Sequence, residues 1–261
     1  MKDILQEIVA TKRAEVDRRK RETDLQALYR QAETPRTTRH SLREALRSSS
    51  TGIISEFKRR SPSKGWINRD ADVQSVVRAY QQAGATALSV LTDTPYFGGT
   101  DDDLRAARQA CSLPILRKDF TIDEFQLVES RVLGADAVLL IAAALTREQC
   151  RRFAEIAHQL ELEVLLEIHD QSELDYYSEY VDVLGVNNRN LGSFHTDVAN
   201  SFRLIEQMPQ EATPISESGI SNPDTVKELR AIGFKGFLIG ENFMKTEAPG
   251  DSLKSFINAL N

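Results

Sequence analysis

The chain has 261 residues, 41% hydrophobic and 28% charged, with a formal net charge of −6 from 33 basic and 39 acidic residues. That balance supplies a large core and excludes disorder or a fibrous architecture for the whole chain, while mild acidity argues against nucleic-acid binding through a global basic field. No apolar run approaches the roughly 18 residues of a membrane span, and Cys111 and Cys150 form no C-x-x-C or disulfide framework, which leaves them as reduced, packed thiols.

Residues 1–50 stand apart from the rest. MKDILQEIVATKR carries acidic and polar residues where a signal peptide needs an unbroken apolar core, so a cytoplasmic location is expected. Ile4, Ile8, Val9 and Val16, then Leu25 and Leu28, then Leu42 and Leu46 space out short amphipathic helices. Ser41 with Glu44 reads as a capping box opening the last of them. The basic cluster Arg18–Arg21 reads as a solvated helix face, because Glu15, Asp17, Glu22 and Asp24 surround it. The expectation is an N-terminal helical extension, 1–50, packed on a main domain, 51–261.

From residue 52 a strand-like run alternates with an amphipathic segment, eight times: GIISEF (52–57), TALSVL (86–91), PILRKDF (114–120), DAVLLIA (136–142), EVLLEI (163–168), VDVLGVN (181–187), TPISES (213–218) and GFLIG (236–240). Such short aliphatic runs suit strands buried on both faces of a parallel sheet. Between them, Val73, Val76, Val77 and Tyr80 make a helical stripe before Gly84. Thr121 with Glu124 reads as a capping box for a helix closed by Gly134, and Thr146 with Gln149 as another. Asn222 caps a fourth, with Pro223 in its first position and Gly233 at its end. Eight strand–helix units predict a single (β/α)8 barrel of the α/β class. An open doubly wound sheet is the alternative, but its Gly-rich first turn is missing.

A parallel barrel carries its chemistry at the C-terminal strand ends. Those ends hold Glu56 and Lys58, then Thr92 before a loop with Tyr96, Phe97, Gly98 and Gly99, then Lys118–Asp119–Phe120, Glu167, Asn187–Asn188–Arg189–Asn190, Ser216–Glu217–Ser218–Gly219 and Gly240–Glu241–Asn242; only the fourth contributes nothing ionisable. Charges converging on one mouth are costly unless paired, so they mark a site or a set of closing Lys–Glu ion pairs. The loops after the seventh and eighth strands commonly bind phosphate, and Gly219 and Gly240 let the backbone approach an anion. Arg59, Ser61 and Lys64 follow the first strand and are candidates to reach the same anion. His40, His158, His169 and His195 show no metal-ligand spacing and read as surface or helix-cap groups.

At these residues the sequence closely resembles the indole-3-glycerol phosphate synthase family. The resemblance rests on ISEFKRRSPSKG (54–65), SVLTDTPYFGG (89–99), LRKDF (116–120), LLEIHD (165–170), GVNNRNL (185–191), SESGIS (216–221) and FLIGENFM (237–244), in order across the barrel. It implies conversion of 1-(2-carboxyphenylamino)-1-deoxyribulose 5-phosphate to indole-3-glycerol phosphate, carbon dioxide and water, with no metal or organic cofactor. By motif, Lys118 corresponds to the general acid and Glu167 to the acid/base of the later dehydration. Glu56 and Lys58 match the first-strand pair; Asn187, Arg189, Glu217 and Ser218 match positions that orient substrate and lysines. Ser61, Phe97 and Phe120 fall to substrate binding, the two rings flanking the anthranilate. Arg59, Gly219, Gly240 and Glu241 fall to phosphate binding, with Glu241 expected to offer only its backbone N–H. The implied partner is a phosphorylated small molecule, with neither nucleic acid nor membrane, and the expected state is a monomer, or else a weak homodimer. A Schiff-base lyase would need a lysine of depressed pKa in an apolar setting, whereas the glutamates here predict the reverse. A non-catalytic phosphosugar-binding barrel would be free to lose Lys118 and Glu167.

Overall fold

The structure, a computed structural model, describes residues 4–36, 38–190 and 195–260; Leu191, which ends the GVNNRNL motif, lies outside them. Three helices come first, α1 (Ile4–Glu22), α2 (Leu25–Ala32) and α3 (Leu42–Ser48). Eight barrel strands follow: β1 (Ile53–Phe57), β2 (Ala87–Leu91), β3 (Ile115–Lys118), β4 (Ala137–Ile141), β5 (Glu163–Ile168), β6 (Val183–Asn187), β7 (Pro214–Glu217) and β8 (Gly236–Ile239). Each pairs in parallel with its sequence neighbours, and β8 returns to β1 to close the barrel, with Ser55 beside Ile239. The eight runs read from the sequence are all strands, a few residues shorter at some ends. A small hairpin, Arg60–Ser61 with Gly65–Trp66, sits in the loop after β1.

Strand alternation decides what enters the barrel. On β5, Val164, Leu166 and Ile168 join the core between strands and outer helices, whereas Leu165 joins the interior cluster with Ile54, Leu116, Leu139, Val183 and Ile215. Glu163 and Glu167 flank Leu165 at a spacing of two, so both face the interior, one at each end. The same arithmetic puts Glu56 above Ile54, Lys118 above Leu116 and Glu217 above Ile215.

The extension closes both ends of this cylinder. At the N-terminal end, Leu42 and Leu46 of α3 are buried in the interior cluster. Glu163 accepts hydrogen bonds from Ser41 Oγ at 2.5 Å and the Arg43 amide at 2.9 Å, an anion at a helix N-terminus. Ser41 also accepts from the Glu44 amide, as its capping role requires. At the other end α1 lies across the mouth with Leu5, Ile8, Lys12 and Val16 buried.

Two local expectations are corrected. The helix Glu124–Leu133 is capped by Asp123, whose side chain accepts from the Phe125 amide, and not by Thr121. Asp is the stronger cap and stands directly before the first turn. The Arg18–Arg21 cluster is only partly a solvated face: Arg19 pairs with Asp101 and Glu129, and Lys20 with Asp123 at 2.6 Å, while Arg18 pairs with Glu22 on its own helix. Positions 12, 16, 19 and 20 share one helical stripe, which turns Arg19 and Lys20 toward the barrel. The Thr146–Gln149 box and the Asn222 cap hold as read, and Ser41 caps α3 through only its own half of the expected box, accepting from the Glu44 amide. Among the described residues no helix is long and apolar enough to cross a membrane.

Candidate active site

A cavity of about 690 Å³ opens at the C-terminal strand ends. Its wall contains every site residue expected from the sequence except Arg59. Leu139 and Ile141 of β4 supply an apolar side, and Ile4, Leu5 and Ile8 of α1 contribute from above.

The polar floor is built around Lys118. Its Nζ lies 2.9 Å from Glu167 Oε2 and 3.2 Å from Glu217 Oε2. Burial opposes the ammonium, but Glu167, Glu217 and Glu56 outweigh it and hold the Lys118 pKa above its ordinary value. The two carboxylates respond in opposite senses. For Glu167, burial is overcome by Lys118, His169 and a hydrogen bond with Asn187, so its pKa falls. For Glu217, burial and the neighbouring Glu167 charge prevail over Lys118, so its pKa rises. Beside them Lys58 Nζ donates to Glu56 Oε1 at 2.7 Å, and Ser89 Oγ donates to Glu56 Oε2 at 3.4 Å. This is a compact acid–base array: a protonated amine among carboxylates whose proton affinities are driven apart.

Toward β7 and β8 the wall changes character. Ser218 and Gly219 both take left-handed conformations, φ 67° and 77°, which reverse the chain directly after β7. Only glycine adopts this without strain, and Ser218 is held there partly by Asn188 Nδ2 donating to its carbonyl at 3.1 Å. Gly240 precedes the short helix Glu241–Met244, so Glu241 occupies the first helical position. Lys245, directly after that helix, and Lys64 of the β1 loop also line the cavity and bring positive charge to it. Arg189 crosses to the β1 loop, its Nη1 donating to Ser63 Oγ at 2.7 Å.

Arg59 is placed elsewhere. Its guanidinium grips Asp103 with two hydrogen bonds, of 2.7 and 2.8 Å, donates to the Ala71 carbonyl and stacks over Phe57. The adjacent Lys58 lines the cavity, whereas Arg59 is drawn away from it by Asp103.

The aromatic end is formed by Phe97 and Phe120, ring centroids 6.1 Å apart and 39° between planes. Phe97 closes a one-turn helix, Thr94–Phe97, capped by Asp93 and ended by Gly98 at φ 67°.

Sequence reasoning missed three contributors. His169 is largely buried, with Nε2 3.4 Å from Glu167 Oε1 and Nδ1 3.3 Å from Glu173 Oε2, so it is neither a surface group nor a helix cap. Burial disfavours its cation, yet the Glu173 and Glu167 carboxylates raise its pKa. Its position two residues beyond Glu167, on the same strand face, was the available signal. Lys245 follows a motif that was read only as far as Met244. Lys12 looked like any exposed lysine of an amphipathic helix, yet it is 1% exposed. Among the described residues no group of three or more His, Cys, Asp or Glu side chains is placed to hold a metal ion.

Comparison with known proteins extends the picture over the whole chain. The family model for indole-3-glycerol phosphate synthase matches residues 5–256. An indole-3-glycerol phosphate synthase from Bacteroides thetaiotaomicron is 56% identical over 260 residues, covering 100% of each chain. Another, from Neisseria meningitidis serogroup B, is 44% identical over 251 residues, covering 95% of this chain and 96% of its own. Among solved structures, thiamine phosphate pyrophosphorylase from Pyrococcus furiosus is similar with a TM-score of 0.61 at 17% identity, covering 84% of this chain and 98% of that one. Tryptophan synthase subunit alpha from Legionella pneumophila gives a TM-score of 0.62 at 12% identity, with coverages of 85% and 99%. These structural likenesses concern the fold alone.

Proposed function

The chain belongs to the indole-3-glycerol phosphate synthase family, and from that membership we propose that Lys118 and Glu167 carry the acid–base steps of the family's reaction, with Glu217 holding the lysine in place. The activity is a carboxy-lyase step of tryptophan biosynthesis: ring closure, decarboxylation and dehydration of a phosphorylated substrate. What supports this assignment most is Lys118 Nζ held between Glu167 and Glu217, at 2.9 and 3.2 Å, on the cavity floor.

In the first step the aryl carbon bearing the carboxylate attacks the ketone carbon. The C=O electron pair moves to oxygen, which takes a proton from Lys118 and becomes a hydroxyl. A weakly nucleophilic aromatic carbon needs that electrophilic activation, and a positioned acid within hydrogen-bond reach supplies it. The carboxylate cage keeps Lys118 protonated until the developing oxyanion becomes the stronger base, which also opposes Schiff-base chemistry at this nitrogen. Carbon dioxide then leaves, and its bonding pair restores the aromatic ring. Finally the new hydroxyl departs as water while the adjacent carbon gives up a proton. Glu167 is the acid/base partner of this elimination, and Lys58, paired with Glu56, stands by the carboxylate and leaving groups.

Asn187, Arg189, Glu217 and Ser218 orient substrate and lysines, with Ser61, Phe97 and Phe120 completing the substrate wall. The phosphate falls to Gly219, Gly240 and the Glu241 backbone N–H, with Lys64 and Lys245 as nearby cations. Arg59, committed to Asp103, acts here by shaping the β1 loop. Residues 1–50 act as an extension to a catalytic barrel of residues 51–261, working as a cytoplasmic monomer or weak homodimer.

The test is indole-type fluorescence on mixing the protein with the carboxyphenylaminodeoxyribulose phosphate, beside Lys118→Ala. The expected loss in the variant is about 10²-fold or more. Equal rates in both would overturn the role given to Lys118.

A further inference from the structure

We propose that Lys12, on α1 and outside the barrel, is a positioning residue for substrate: it fixes the Phe97 turn against the Phe120 strand end at the spacing that receives the substrate's aromatic ring. The inference rests on the reading that these two rings bind that part of the substrate.

Lys12 is among the most buried large side chains of the molecule, at 1% exposure. Its ammonium lies 2.8 Å from Glu15, 2.9 Å from Asp93 Oδ2 and 2.9 Å from Asp119 Oδ1. Burial opposes the charge, but Asp119, Asp93 and Glu15 outweigh it, so the side chain is a fixed cation. Each barrel carboxylate also holds the backbone that carries a ring. Asp93 Oδ1 accepts from the Tyr96 amide at 2.9 Å and so opens the turn that ends in Phe97. Asp119 Oδ1, the atom facing Lys12, accepts from the Phe120 amide at 2.8 Å, while Oδ2 accepts from Thr92 Oγ1 at 2.6 Å. One nitrogen therefore ties together the two carboxylates that set the Phe97 and Phe120 backbones. Beside it, Thr11 Oγ1 and Tyr96 Oη are 2.9 Å apart, a second link from α1 to the same turn.

Fastening α1 does not require this arrangement. Leu5, Ile8 and Val16 already bury its apolar stripe, and Arg19 and Lys20 already pair with the barrel. A buried charge is a costly anchor compared with an apolar side chain of similar volume. What the lysine adds is direction: an ammonium meeting two aspartates from different barrel segments defines their separation, which a methionine could not do. The aspartates would otherwise repel each other in a low-dielectric setting.

The test is steady-state kinetics of Lys12→Gln, Phe97→Leu and the double variant, below the melting temperature of each. For Lys12→Gln the expected result is KM raised about tenfold with kcat within about threefold, the signature of lost ground-state binding. Phe97→Leu should also raise KM, and the double variant should stay within about twofold of Phe97→Leu alone, because both changes act through one contact. An unchanged KM in Lys12→Gln, accompanied only by a lower Tm, would overturn the proposal. So would KM effects that multiply in the double variant, and that outcome would leave the ring-binding reading standing. An unaltered KM in Phe97→Leu would instead overturn the ring-binding reading, and the role of Lys12 with it. Should Lys12→Gln fail to fold, Asp93→Asn keeps the cap on Tyr96 but removes the ion pair, and a parental KM there would equally overturn the inference.

Discussion

Gly185 of β6 leaves open the space that the Glu217 carboxylate of β7 occupies: a Cβ at position 185 would stand 2.2 Å from Glu217 Oε1. Gly240 does the same for Glu56, whose Oε1 would lie 2.5 Å from an added Cβ. These glycines serve by lacking a side chain beneath a functional carboxylate. We expect Gly185→Ala to displace Glu217 from Lys118 and lower kcat/KM on the order of 10²-fold, with the far-ultraviolet circular dichroism unchanged. A parental kcat/KM in the alanine variant would show that Glu217 tolerates another position.

Glu217 and Glu167 also differ in how they should shape the pH dependence. Burial and its neighbour raise the Glu217 pKa, so protonation on the acid side removes one of the negative partners of Lys118. The kcat/KM profile should therefore show an acid limb that is lost in Glu217→Gln and kept in His169→Gln. Profiles of the three proteins, measured over the same pH range, decide the point.

Asp119 offers a stability prediction with a definite sign. Despite burial, Lys12 and Arg117 hold its pKa down to about 2. A carboxyl depressed by folding stabilises the native state above its unfolded pKa, and that contribution is lost as pH falls through the folded value. Urea unfolding should find Asp119→Asn less stable at pH 7 by on the order of 2 kcal/mol, with the gap closing as pH falls toward 2. A gap constant across that range would mean the aspartate acts by shape alone.

Leu46 separates stability from catalysis. It is buried in the interior cluster at the end of the barrel opposite the active site. Leu46→Ala should lower the unfolding free energy by about 2–5 kcal/mol while kcat/KM, measured where the variant is folded, stays within about twofold. A large kinetic effect would reveal coupling along the barrel axis.

The barrel was legible because its cues are local. A run such as Ala137–Ile141, aliphatic on both faces and bounded by turn residues, can bury itself only inside a parallel sheet. The charged strand ends were legible for the same reason, since Glu56, Lys118, Glu167 and Glu217 interrupt otherwise apolar runs at the same relative place. What escaped depends on partners distant in sequence. Lys12 sits in a helix of charged residues, and nothing near it announces that Asp93 and Asp119 will surround it. Arg59 sits next to Lys58 in a basic loop, and its departure from the cavity is set by Asp103 on a later helix. The cap of the Glu124–Leu133 helix lay within reach, because Asp123 outranks Thr121 and stands closer to the helix.

The N-terminal extension touches both ends of a barrel whose closing strand, β8, comes more than two hundred positions after α1 begins. In vectorial synthesis α1 therefore leaves the ribosome before Asp93, Asp119 or the cavity rim exists, and its buried lysine then has only Glu15 of its own helix to meet. The helix must wait, solvated, for the barrel segments that carry Asp93, Asp119 and Glu129. The helix is thus made well before it can dock, and on the reading proposed for Lys12 a newborn molecule reaches full substrate affinity only when α1 has settled on those segments.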